Sequence, residues 1–314
     1  MTTALKNLRV LDMSRILAGP WTGQLLGDYG ADVIKVERPG IGDDTRQWGP
    51  PWLGSESAYF LCANRNKRSL TVDIATPSGQ QVIRELAGKA DVLLENFKVG
   101  TLERYELDPS DLLAANPRLI ICSISAFGQS GSRAEQPGYD AMIQASGGLM
   151  SITGPPDEEG GGPQKVGVAI ADIMAGMYAA TAILAALHAR EQTGRGQHID
   201  VPLYDSQVAW LANQSMNFLV GGAVPGRMGT AHPNLVPYQA FPTSDGNVML
   251  AVGNDRQFAA CAECLGHGEL ADDGKFATNK ARISNRAELI DIFRNRLQQH
   301  TTAHWLGVFA QTGI

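Results

Sequence analysis

Apolar positions in the first 125 residues fall into short runs, separated by stretches that carry helical spacing. LRVLDM (Leu8–Met13) reads as a short buried strand, and in the AGPWTGQLLGDYGA that follows Pro20 is placed to start a helix and Gly30 to stop it. DVIKVE (Asp32–Glu37) is the next strand, which makes residues 8–37 a β-α-β unit. The pattern repeats with a strand at SLTVDI (Ser69–Ile74), a helix over Pro77–Ala87 with Ser78 near its start, and a strand at DVLLENF (Asp91–Phe97). A short helix over Pro109–Ala115 and a strand at LIICSIS (Leu119–Ser125) continue it. Such alternation predicts an α/β fold with a parallel sheet covered by helices on both faces, and ligands gather beyond the carboxyl ends of such strands.

The second half is less regular. A glycine- and proline-laden loop, Gly154 to Pro163, leads through an apolar run to Asp172, and a long small-residue helix over Ile173–Leu187 follows. QTGRGQ reads as a tight turn, HIDVPL as a strand and Tyr204–Phe218 as a helix. Gly221–Pro237 is irregular and glycine-rich, a candidate lid. Gly246–Gly253 reads as a strand, and Asp255–Leu265, Arg286–Gln299 and Thr302–Gln311 as helices. One boundary near Ala189–Gly196 would give a large domain at 1–190 and a linker with a smaller domain at 191–314.

Composition narrows the classes. The 314 residues, 44% hydrophobic and 18% charged, suit a soluble globular protein of one large or two ordinary domains. A net charge of −6 argues against a nucleic-acid partner and still permits a local basic pocket. No membrane is expected, because the Ile173–Leu187 helix is too short and alanine-rich to span one. The N-terminus lacks the layout of a signal peptide, and Cys62, Cys122, Cys261 and Cys264 lack disulfide-framework spacing, so a reducing cytoplasm is the expected location.

Asp172 is the only acid between Glu159 and Glu191. A carboxylate at a helix mouth serves either as a plain N-cap or as a nucleophile or general base beside a glycine loop, and local context leaves both open. Basic residues gather at strand ends: Arg38 after the second strand, Lys98 and Arg104 after the Asn96–Phe97 pair, and Arg65, Lys67 and Arg68 ahead of SLTVDI. Singly each reads as a solvated charge; together they suit the phosphates of a nucleotide-like ligand. No G-x-G-x-x-G follows the first strand and no Walker A sequence is present, which disfavours an ordinary NAD or ATP site. Cys261 and Cys264 read as one helix face, His300 and His304 lack the glutamate of H-E-x-x-H, and Ser206 and Ser215 lack a nucleophile elbow, so no metal is expected. His232 reads either as a substrate contact or as a turn histidine held by Pro233, and Tyr139 as core or as site lining.

The ordered set AGPWTGQLLGDYGADVIKVERPGIGDDTRQW, NRNKRSLTVDI, DVLLENFKVGTLERYEL, GYDAMIQASGG and AIADIMAG resembles the class III CoA-transferases, the CaiB/BaiF or formyl-CoA-transferase-like family. The resemblance implies a Rossmann-like large domain, a smaller domain and an interlocked homodimer. It implies acyl-CoA and a small carboxylic acid as substrates, with no metal, and it places the catalytic aspartate at Asp172. By motif position Leu17, Ala18, Arg38, Val72, Asn96, Phe97, Lys98, Arg104 and Tyr139 correspond to the CoA-binding set. The implied reaction passes through an aspartyl anhydride and an aspartyl-CoA thioester, with succinyl-CoA as the expected donor. An unperturbed carboxylate is ionised at neutral pH, so Asp172 is expected to need positioning more than activation. Related racemases pair the aspartate with a histidine in G-H-D; the stretch here is Gly138-Tyr139-Asp140, which favours transfer over racemisation. A racemase and a silent CoA-binding protein are the alternatives. Leu17 and Pro137 stand where formyl-specific members carry glutamine and lysine, which argues against formyl transfer. The sequence ends at TGI, where family members are expected to continue.

Overall fold

The computed structural model describes residues 4–310, so Gln311 of the last expected helix and the terminal TGI lie outside the described residues. Two compact units form: one from the chain up to Met150 plus Lys165–Asn213, the other from Ser151–Gln164 plus the chain from Gln214 onward. The boundary expected at Ala189–Gly196 is therefore not where the chain divides.

The first unit is built on six parallel strands: β1 (Arg9–Asp12), β2 (Asp32–Glu37), β5 (Lys67–Thr71), β6 (Val92–Glu95), β7 (Ile120–Ser125) and β8 (His198–Pro202). A two-residue ladder, β3 (Trp52–Leu53) with β4 (Glu56–Ser57), lies in the connection after β2. The sheet order is β5-β2-β1-β6-β7-β8. The chain steps outward from β1 in one direction and then outward from β6 in the other, so the order reverses between β1 and β6. Crevices in open α/β sheets form at this point. The strand read at HIDVPL pairs with β7, which returns the chain to this sheet after residue 190 and explains the displaced boundary.

Both faces of the sheet are covered. Val10, Val33, Val92, Leu94 and Ile120 face one core, while Leu11, Leu93 and Ile121 face a second core closed by Ile83 and Leu112. Burial on both faces is why these strands read as continuous apolar runs instead of alternating ones. Helices α1 (Ala18–Asp28), α2 (Ala58–Ala63), α3 (Pro77–Ala87), α4 (Thr101–Arg104), α5 (Pro109–Ala115), α6 (Asp140–Ser146), α7 (Ile170–Thr193) and α8 (Leu203–Ala209) complete the unit. Helix α3 is capped by Thr76, whose Oγ1 accepts from the Gly79 N–H, and not by Ser78.

Helix α7 is longer than the sequence implies. Its 24 residues make it long and apolar enough to cross a membrane by length and composition. It nevertheless packs Ala171, Ala175, Ala179, Ile183 and Ala186 into the core beside β7 and β8. A Cβ on Gly176 would lie 2.7 Å from the Ala18 carbonyl oxygen, so only glycine permits α1 and α7 to approach this closely. Thr22 Oγ1 donates to the Gly176 carbonyl at 3.0 Å and fixes that contact.

β5 begins at Lys67, two residues ahead of the expected Ser69, because Lys67 is a strand residue whose side chain is buried. Its ammonium donates to Asp12 Oδ2 (2.9 Å), the Pro20 carbonyl (2.8 Å) and Asn64 Oδ1 (3.0 Å), which uses all three protons. Breaking a buried pair leaves an uncompensated charge, so Lys67→Met is expected to cost about 3–5 kcal/mol, read as a lower urea midpoint at pH 7.5. A change under about 1 kcal/mol would show that Asp12 finds another partner.

The second unit pairs β9 (Tyr238–Pro242) with β10 (Asn247–Ala251) in antiparallel fashion. Helices α9 (Ala212–Gly221), which leads in from the first unit, α10 (Asp255–Cys264), α11 (Asn279–Ser284), α12 (Arg286–Leu297) and α13 (Thr302–Phe309) follow in sequence. Phe241, Phe258, Leu289, Phe293 and Trp305 form its core. The single helix expected over Tyr204–Phe218 is two, α8 and α9, because Ala212, where α9 begins, takes a φ of 42° that a continuous helix does not allow. β9 escapes a sequence reading because Pro237 and Pro242 bracket it.

Candidate active site

Two connections meet at the reversal point. After β1 comes Ser14–Leu17; after β6 comes Asn96–Gly100. Asn96 joins them, its Oδ1 accepting from the Arg15 N–H and its Nδ2 donating to the Arg15 carbonyl, both at 2.7 Å. The Ile16 N–H donates to Asp43 Oδ1 at 3.3 Å, and Lys35 Nζ donates to the Ser14 carbonyl at 2.9 Å. Ile16 sits at φ 70°, rare for a β-branched residue, a strain of order 1–3 kcal/mol that these surrounding bonds hold in place.

Two clefts open here. The first, about 500 Å³, is lined by Arg38, Val72, Phe97, Lys98 and Arg104, with Arg15 at its edge. The second, about 230 Å³, contains Asp172 together with Leu17, Ala18, Asn96, Lys98 and Tyr139. Phe97 lines both, so every expected ligand-binding residue borders one cleft or the other. They do so in different ways. Leu17 and Ala18 are buried at the start of α1, whereas the Asn96 amide is already committed to Arg15. Tyr139 is 66% exposed, so of its two readings the lining role holds.

The cation cluster expected from NRNKRS does not form. Arg65 pairs with Asp28, Arg68 with Asp32 and Lys67 with Asp12, and none of the three lines either cleft. Neighbours in sequence on a strand point to opposite faces, which disperses them. Two residues of the site went unremarked in the sequence: Arg15, which lines both clefts, and Asp140, which holds the Ala171 and Asp172 N–H groups. Arg15 lies three residues past the end of β1, near the strand-end placement that marks Arg38. Asp140 is the last residue of the Gly138-Tyr139-Asp140 triplet.

Helix α7 starts at Ile170, so Asp172 is its third residue and not its N-cap. The capping comes from outside. Asp140, 9% exposed, accepts from the Ala171 N–H at 2.7 Å and the Asp172 N–H at 3.4 Å. Gln144 Nε2 donates to the other Asp140 oxygen (2.6 Å), while Gln144 Oε1 accepts from the Val166 N–H (2.9 Å). The Asp172 side chain is thereby released from helix capping and left in the cleft, at the positive end of the dipole.

Burial, and next the Asp140 charge, push the Asp172 carboxyl up to about 7. The expectation of an unperturbed carboxylate is corrected: at neutral pH a large share of Asp172 is protonated. Tyr59 is raised to about 12 by burial and then by Asp172, which places its phenol near the same carboxylate. A reaction that needs Asp172 ionised is expected to lose about tenfold in kcat/KM per pH unit below a limb near 7. Rates measured from pH 5 to 9 check this; a limb below pH 5 contradicts it.

Several other flagged residues lie in the second unit. His232 Nδ1 accepts from the Asn234 N–H at 3.0 Å, the turn-histidine reading. Cys261 and Cys264 share α10, Cys261 buried in the core. The two glycine-rich loops are fastened together: the Gly229 N–H donates to the Gly154 carbonyl (3.0 Å) and Arg227 pairs with Asp157.

Comparison with known proteins gives the family. Succinate–glutarate CoA-transferase of Agrobacterium fabrum is 51% identical over 294 residues, covering 92% of this chain and 73% of the relative. Human succinyl-CoA:glutarate CoA-transferase is 46% identical over 310 residues, covering 99% and 70%. The crystal structure of a CaiB/BaiF family protein from Brucella suis superposes with a TM-score of 0.85 at 51% identity, covering 100% of this chain and 83% of that one. The sequence profile of CoA-transferase family III matches residues 5–314. This chain belongs to CoA-transferase family III and is a CoA-transferase enzyme.

Proposed function

We propose that the protein moves CoA from succinyl-CoA to a small dicarboxylic acid of the glutarate class, with Asp172 as the covalent relay. The observation that carries this is the Asp172 carboxylate, freed from capping by Asp140, in a cleft that adjoins a larger one bordered by Arg38, Lys98 and Arg104. The larger cleft suits the phosphates of CoA, arginine by a bidentate fork and lysine as a point charge.

In this reading the Asp172 carboxylate attacks the thioester carbonyl and expels CoA thiolate, leaving a mixed anhydride. The thiolate then attacks the aspartyl carbonyl, releasing succinate and forming an aspartyl-CoA thioester. The acceptor carboxylate attacks that thioester and expels thiolate again. The thiolate finally attacks the acceptor's acyl carbon, giving the new acyl-CoA and regenerating Asp172. Each step exchanges one acyl bond for another, so the relay replaces one difficult exchange with four accessible ones. The Gly138 backbone in the Asp172 cleft supports oxyanion binding without an obstructing side chain. Tyr139 in place of a histidine removes the second base that proton exchange at the α-carbon would need.

We extend the proposal to a homodimer in a reducing cytoplasm. Leu219 and Val220 of α9 are 71% and 81% exposed, an apolar surface suited to a second copy, and four free thiols suit reducing conditions. Incubation with succinyl-CoA and a panel of acids tests the function. Glutaryl-CoA and succinate are the expected products from glutarate; formyl transfer alone would overturn the reading.

A further inference from the structure

The turn after β1 holds one side chain between the two clefts. Ser14, Arg15 and Ile16 are fixed through their backbones by Asp12, Asn96, Lys35 and Asp43, and Ile16 stays left-handed to complete the turn. That clamped backbone carries Arg15, which lines both clefts. Among the described residues it is the only arginine lining the cleft that contains Asp172. Its pairing is incomplete. Nη1 contacts Asp44 at 3.0 Å, but Asp44 is shared with Arg38, so one carboxylate serves two guanidiniums. Arg15 Nε is buried with no hydrogen-bond partner.

We propose that Arg15 binds the far carboxylate of a dicarboxylic acyl group while the near one reacts at Asp172. The assignment rests on the transfer reading above for its ligand. A carboxylate carried into the Asp172 cleft meets two cations there, Arg15 and Lys98. Lys98 is an exposed point charge, whereas Arg15 is half-buried, backbone-clamped and carries a planar fork that matches carboxylate geometry. Arg38 and Arg104 line only the other cleft, which leaves them for phosphates and Arg15 for the acyl end. Selectivity follows from the same geometry. A monocarboxylic acyl group would bring a methyl where Arg15 waits, leaving its Nε without a partner.

The test compares glutaryl-CoA with pentanoyl-CoA, which has the same chain ending in methyl, by calorimetry in the Asp172→Ala background where turnover cannot consume them. Glutaryl-CoA is expected to bind more tightly, and Arg15→Gln is expected to remove about 10- to 100-fold of that preference. CoA itself should bind both proteins equally. If Arg15→Gln weakens CoA and both thioesters alike, Arg15 serves a phosphate and the assignment falls. If no affinity changes, Arg15 only pairs with Asp44 and the assignment also falls. In wild type with native Asp172, a lack of glutaryl-CoA formation would count against the transfer reading, while the binding ratio still decides the role of Arg15.

Discussion

Asp172→Ala is expected to lower CoA transfer by about 10⁴-fold or more, with the dissociation constant for CoA changed less than about threefold. The reasoning is local. Asp172 borders the smaller cleft, whereas the cations suited to the CoA phosphates border the larger one. Removing a nucleophile removes the covalent path and leaves binding intact. Loss of structure is not the cause to expect. A carboxyl whose pKa rises from 3.8 to about 7 on folding binds more protons in the native than in the unfolded state between those values. Native stability therefore declines as pH rises from about 4 to about 7, and stays at the lower level above it. Asp172→Asn, which cannot ionise, should match wild type near pH 4 and be the more stable at pH 8. Thermal melts at both pH values read this directly, and a less stable Asn variant at pH 8 would contradict it.

Asp140→Ala is expected to reduce kcat by about 10²-fold, the scale of a misplaced reacting group. Asp140 holds the first turn of α7 through the Ala171 and Asp172 N–H groups and is tied in turn to Gln144. Leaving those buried donors unpaired should also cost about 1–3 kcal/mol of stability. A purely structural role would stop there. The positioning role makes one more demand, because the Asp140 charge helps raise the Asp172 carboxyl. Without it the acid limb of the pH–rate profile should move below 7 in the residual activity. An unshifted limb would show that Asp140 supports only the fold.

Much of this architecture is legible along the chain, because short apolar runs bounded by turn residues mark parallel strands well. The ranges for β2, α3 and α5 fall where the sequence puts them, at Asp32–Glu37, Pro77–Ala87 and Pro109–Ala115. The harder cases have physical reasons. α7 begins before Asp172 because its cap arrives from Asp140, thirty-two residues earlier, and no local pattern encodes such a partner. β8 returns to the first sheet because His198–Pro202 pairs with β7, a long-range choice that strand spacing does not reveal. The site was partly legible. Motif position brought Asp172 and nine cleft residues together, yet three apparent phosphate cations proved to be ion-pair partners elsewhere. Charge type reads from sequence; the face a charge occupies depends on register. The raised Asp172 carboxyl was hidden for the same reason, since burial and a neighbouring acid are properties of the fold.

The most direct measurement of the central claim is intact mass after incubation with succinyl-CoA and hydroxylamine, comparing wild type with Asp172→Ala. Hydroxylamine attacks an activated aspartyl carbonyl and leaves a hydroxamate in place of the carboxylate. The relay predicts that mass change on wild type, localised to the peptide containing Asp172, and its absence from the variant. Wild type that forms glutaryl-CoA under the same conditions yet carries no mark, or a mark that persists in Asp172→Ala, would contradict covalent transfer through this residue.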